Sequence, residues 1–146
     1  MQIAPLLHIG RGVTALIGGG GKTTLLYTLT EELRRKGSVI LCTSTRIMRP
    51  PQYEVLEAAE ETELSAALAA YGAVCVGTAA ENGKLAAPQL PFETLAQLAD
   101  YVLVEADGAK RLPLKAHAPH EPVIPPNAQR VVMVVGADGF GRPIRE

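Results

Sequence analysis

The sequence predicts an α/β fold of three layers, α/β/α, built on a mostly parallel sheet. Short apolar runs alternate with helical patterns along the 146 residues. The runs are apolar almost throughout, as expected for strands covered on both faces. Hydrophobic residues make up 47%, with 4% aromatic and no Trp, so the core must be aliphatic. The length suits one domain over 1–146.

Each element follows from its local pattern. "VTALI" (13–17) reads as a strand ending at four glycines. From Lys22 to Lys36 the pattern turns helical, with Leu25, Leu26, Leu29 and Leu33 on one face. Glu31–Arg35 and Glu32–Lys36 stand at ion-pair spacing, and Gly37 is the stop. "SVILCT" (38–43) is a second buried strand, and Pro50 and Pro51 break whatever follows it. Residues 54–71, rich in Glu, Ala and Leu, read as helix. "AVCVG" (73–77) is a third strand, followed by a turn at 81–84. A short helix at 92–99 leads into the strand "YVLVE" (101–105). A proline-interrupted loop (112–127) precedes a last strand at 131–135. A doubly wound domain would place a helix after it, so either a partner covers that edge or a C-terminal portion is lacking.

The stretch "TALIGGGGKTTLL" carries the first chemistry. Without Cβ atoms, glycines let successive N–H groups point into one concavity. The following helix adds unpaired N–H groups and the positive end of its dipole. Gly18, Gly19, Gly20, Gly21, Lys22 and Thr23 stand in the order of a P-loop: glycines cradle phosphates, the lysine reaches the outer ones, the hydroxyl ligates Mg²⁺. Thr24 offers a second hydroxyl. Two departures stand out. Leu16 occupies the place of the pattern's first glycine, and Ile17 the place where a variant loop carries a second lysine. A glycine-rich turn beside a solvated lysine is the bland alternative, but the strand–loop–helix context favours phosphate. A dinucleotide fingerprint fails, because it would need glycine at Thr23 and an acidic end to the second strand.

A P-loop site also needs a carboxylate from a neighbouring strand to hold Mg²⁺. "YVLVEAD" offers Glu105 and Asp107, whose spacing puts both on one side in extended geometry. Either one fits the metal role. Thr43 and Thr45, at the end of the second strand, are placed to sense a γ-phosphate or its ion. Arg46 is the nearest cation to stand in for the missing lysine. Lys110, Arg111 and Lys115 bind anions or are merely solvated. His117, His120 and Glu121 suggest a metal site, which the prolines at 119 and 122 argue against. Asp138 meets a nucleotide base or shapes a turn, and no N-K-x-D guanine signature occurs.

The formal net charge of −1 gives no case for nucleic acid or an anionic membrane. No run approaches a membrane span, and the N-terminal apolar stretch is too short for a signal peptide. Cys42 and Cys75 each lie in an apolar run without metal-ligand spacing, which suits buried thiols in the cytoplasm.

Taken together, "GGGGKTTLL", "CTSTRIM", "VEADGAKRLPLKAHAPHEPVIP" and "VVGADGFGRPI" sample nearly the whole chain in order. In these stretches the sequence resembles the accessory proteins of selenium-dependent molybdenum hydroxylases. The resemblance implies a P-loop NTPase-like fold of the kind used by metal- and cofactor-insertion NTPases. It also implies a role in maturing a molybdenum hydroxylase, with that enzyme or a cofactor-handling protein as client. Members of that family run longer, and Ser44 stands where they carry threonine. The expectation is Mg²⁺-dependent binding of ATP or GTP, with Lys22, Glu105 and Asp107 at the reacting end. Turnover should be slow, since no water-positioning glutamine or arginine finger is evident in cis. A non-hydrolysing nucleotide-binding chaperone or adaptor and an ATP-dependent transferase or ligase are the alternatives. The exposed last strand leaves room for a homodimer.

Overall fold

The computed structural model describes residues 1–108, 119–137 and 140–141. Lys110, Arg111, Lys115, His117 and Asp138 lie outside the described residues.

The chain is α/β, with a mixed sheet of eight strands. Six strands run parallel: β1 (Gly12–Gly18), β2 (Val39–Thr43), β4 (Glu54–Glu57), β5 (Ala73–Ala79), β7 (Tyr101–Glu105) and β8 (Ala128–Val134). Their order across the sheet is β4-β5-β2-β7-β1-β8. Two short strands, β3 (Arg46–Ile47) and β6 (Leu85–Ala86), form an antiparallel ribbon joined to the end of β5.

Helix α1 (Lys22–Leu33) covers one face, burying Leu26, Leu29 and Leu33 against Leu16, Leu41, Cys75 and Leu103. Helices α2 (Glu61–Tyr71) and α3 (Phe92–Leu98) cover the other through Leu64, Leu68 and Leu95, over Val13, Ile40, Cys42, Val74, Val102 and Val104. The three-layer arrangement therefore follows from strands whose two faces are both aliphatic. Cys42 and Cys75 belong to opposite faces and are both free. Burial drives both thiols upward, that of Cys75 to about 12.

Three expectations are corrected. Residues 54–71 are not one helix: Glu54–Glu57 forms strand β4 against β5, and α2 begins only at Glu61. The free edge of β5 supplies backbone partners that composition cannot reveal. Ala58 (φ 51) turns the chain away while its N–H still reaches Gly77 O at 2.9 Å. Helix α1 stops at Leu33 rather than Lys36. Its acidic side chains are also used differently. Glu31 meets Arg34 at 3.2 Å and accepts the Tyr53 hydroxyl at 2.8 Å. Glu32 accepts the N–H groups of Ile3 (2.8 Å) and Ala4 (2.7 Å), tying the N-terminal turn to α1.

At the open side of β1, β8 starts earlier than expected. It packs Val132 under the α1 layer but leaves Val131 and Met133 exposed, and Val135 just past its end is exposed too. Among the described residues nothing pairs with its outer edge, and no helix is long and apolar enough to cross a membrane.

Candidate functional site

The strand order assembles the site. Strand β7 lies between β1 and β2, so Glu105 pairs in register with Leu16 on one side and Thr43 on the other. The carboxylates, the glycine loop and the hydroxyl run thus meet at the carboxyl ends of three adjacent strands. Crevices at such strand ends are where open α/β sheets bind ligands.

Leu16, which replaces the first glycine of the usual pattern, is a fully buried strand residue under α1. The turn begins two residues later. Gly18 has φ +108, and a Cβ there would stand 2.2 Å from Val134 O, so only glycine lets the chain leave β1 at this point. The Gly19 N–H donates to Val134 O at 2.8 Å. It is therefore engaged by β8, and the free donors begin one residue later. Gly21, with φ +101, caps α1 without any side-chain bond. Among the described residues, the N–H groups of Gly20, Gly21, Lys22, Thr23 and Thr24 have no hydrogen-bond partner. Five successive donors at a helix N-terminus form a concentrated positive field.

Lys22 is 2% exposed, unusual for a lysine unless paired. Its Nζ donates to a carboxylate oxygen of Asp107 and, at 2.8 Å, to the Asp107 carbonyl. The other Asp107 oxygen accepts the Gly18 N–H at 3.0 Å. Glu105 stands elsewhere: its Oε1 lies 3.4 Å from Thr23 Oγ1. Burial raises the Glu105 pKa above the ordinary value, against the opposing pull of Lys22 and Thr23, while the Asp107 charge pushes the same way as burial. The two carboxylates, interchangeable in the sequence, are thus sorted by position. Asp107 faces the lysine, and Glu105 faces the first helical hydroxyl.

The hydroxyl run closes the third side. Thr43, fully buried, donates to Glu105 O at 2.7 Å and accepts the Thr45 N–H at 2.9 Å. Thr45 Oγ1 lies 3.3 Å from it and is only half-buried. Ser44 donates to Val123 O at 2.5 Å, joining this run to the segment that leads back to β8. Thr23 and Thr24 are exposed at the mouth, as is Arg46 beyond the run.

Lys22, Thr23, Thr43, Thr45, Glu105 and Asp107 are therefore gathered with the glycines, while His120 is exposed on a separate segment. Among the described residues no group of three or more His, Cys, Asp or Glu side chains is placed to hold a metal. A bare cation cage is thus absent from them. The donor set of one carboxylate and one hydroxyl instead suits Mg²⁺ that brings phosphate oxygens with it. Sequence reasoning missed Val134, whose carbonyl anchors the loop; Tyr27, one turn after Thr23, stacks at a tilt on Tyr53 instead. Burial, with the nearby Cys75 and Glu105, raises the Tyr27 hydroxyl.

A model of the YqeC protein family matches residues 14–146. Among curated proteins, the chain is similar to "Uncharacterized protein YqeC" of Escherichia coli (strain K12), 34% identical over 140 residues. That alignment covers 90% of this chain and 54% of the relative, so the chain spans about half the relative's length. No solved structure matches the chain.

Proposed function

This chain belongs to the YqeC protein family, and we propose that its glycine-loop rim binds the triphosphate of ATP or GTP together with Mg²⁺. The observation that carries the reading is the run of five unengaged N–H groups, Gly20 to Thr24, beside the buried Lys22 ammonium. A polyanion is the ligand such a field favours, because each phosphate oxygen can accept several N–H bonds without needing a donor. Lys22 balances the outer phosphate charge. Thr23 and Glu105 would hold the ion, which would supply charge neutralisation. Thr23 Oγ1 and Glu105 Oε1 lie 3.4 Å apart, near enough for both to reach one ion. Thr45, half-buried and tied to Thr43, is the residue placed to respond to the outermost phosphate.

Slow hydrolysis is part of this reading. The sequence offers no evident water-positioning glutamine or arginine finger in cis, so on this reading a client protein would complete the site. The resemblance to accessory proteins of selenium-dependent molybdenum hydroxylases supports a client in that maturation, with turnover driving delivery of its cofactor.

Calorimetric titration with ATP and GTP, each with and without Mg²⁺, tests the reading. Binding of one nucleotide that strengthens with Mg²⁺, and loses that strengthening in Glu105→Gln, is expected. No heat from either nucleotide at millimolar concentration, with Mg²⁺ present, would reject it. Phosphate release in the presence of client separates hydrolysis from a non-hydrolysing adaptor, and label recovered on a small molecule indicates a transferase or ligase.

A further inference from the structure

We infer that Asp107 is the positioning residue of Lys22 and the resident anion of the loop when no phosphate is bound. This rests on the phosphate reading of the rim given above. The Asp107 carboxylate makes the contacts a phosphate oxygen pair would make. One oxygen takes the Lys22 ammonium and the other takes the Gly18 N–H at 3.0 Å, with side-chain exposures of 2% for the lysine and none for the aspartate. Glu105, two residues earlier, makes neither contact and lies against Thr23 instead.

Burial explains why the chain would build this pair. A lysine sealed at the end of a sheet needs a counter-charge beside it to offset the cost of burial. The aspartate supplies that counter-charge and holds the ammonium aimed across the loop mouth. The same contact has a cost for binding. An incoming polyphosphate must take the ammonium from a carboxylate that already satisfies it, and it must approach that carboxylate's negative charge. The Asp107 carbonyl, at 2.8 Å, can keep one Lys22 hydrogen bond throughout, so the ammonium swings rather than detaches. Asp107 thereby sets a threshold. Weak anions such as a single phosphate do not displace it, whereas a chelating triphosphate does.

The test uses tripolyphosphate in EDTA, so that no metal contributes, with calorimetry on the wild type, Asp107→Asn, Glu105→Gln and Asp107→Asn/Lys22→Met. Thermal unfolding confirms that each variant is folded. The expected result is tripolyphosphate binding at least ~10-fold tighter in Asp107→Asn, a much smaller gain in Glu105→Gln, and loss of the gain in the double variant. Equal gains in the two single variants would mean that only the overall field matters, and would overturn the inference. No gain in Asp107→Asn would overturn it too. In the wild-type protein, the Gly18 amide resonance should move on titration with tripolyphosphate as its carboxylate partner leaves. A stationary Gly18 signal under saturating ligand overturns the inference without relying on any variant. If no protein, wild type included, binds tripolyphosphate or Mg²⁺-nucleotide, it is the phosphate reading itself that fails.

Discussion

Replacing Gly18 by alanine should be among the most costly single-methyl changes in the chain, and three glycines allow its magnitude to be graded. At Gly10 an added Cβ meets nothing within 4 Å, so Gly10→Ala should lie within ~0.5–1 kcal/mol of wild type. At Gly21 the nearest atom is Val134 Cγ1 at 3.6 Å, an ordinary contact, but φ is +101. Backbone strain alone then gives a loss of roughly 1–2 kcal/mol. At Gly18 the same kind of strain, with φ +108, coincides with Cβ distances of 2.2, 2.9 and 3.1 Å to the backbone O, N and C of Val134. The obstacle is backbone, which cannot rotate away. Strand β8 must move from β1, and the Gly19 N–H···O bond to Val134 goes with it. Overpacking adds about 1–3 kcal/mol, for a total of roughly 2–5 kcal/mol. Urea unfolding of the three variants, with m held constant, measures the series. A Gly18→Ala loss below ~1 kcal/mol, or one no larger than that of Gly21→Ala, would refute the close approach of loop and β8.

The buried Lys22–Asp107 pair should show strong coupling. Lys22→Met and Asp107→Asn should each cost ~3–5 kcal/mol by removing one half of a buried ion pair, while the double variant costs much less than their sum; additivity within ~0.5 kcal/mol argues against a closed pair. Asp100 accepts the Ser38 N–H at 2.9 Å and pairs with Arg11 at 2.5 Å, and the Ser38 bond leads in holding its pKa below the ordinary 3.8. Between the folded and unfolded values the unfolded chain binds more protons, so this stability is present above pH ~4 and drains as pH falls through the folded value. Asp100→Asn should flatten that acid limb in urea midpoints measured from about pH 2 to 5; an unchanged limb counts against the clasp. Glu32→Ala should release the N-terminal turn, at a cost of ~1–2 kcal/mol for its charge-assisted bonds, and speed amide exchange at Ile3 and Ala4. Unaltered exchange there would mean the turn is held by packing alone.

The sequence by itself determined the layered class and nearly every long element, because strand and helix periods are local and the strands here are aliphatic on both sides. It also determined that glycines, Lys22 and Thr23 open a helix, since that spacing acts through adjacent backbone. Residues 54–57 escaped it: their strand state depends on the free edge of β5, some twenty residues later. The partners of Glu31 and Glu32 escaped it too, since Tyr53 and the N-terminal turn compete with the helix's own basic residues. Tertiary structure alone decided which partner each carboxylate meets. Insertion of β7 between β1 and β2 sets Glu105 opposite Leu16 and Thr43, and the chain's departure from the strand after Glu105 sends Asp107 to Lys22. Two carboxylates of like chemistry therefore differ only through where the sheet order leaves them. Sheet order is fixed by contacts between strands far apart in the chain, which no local spacing encodes.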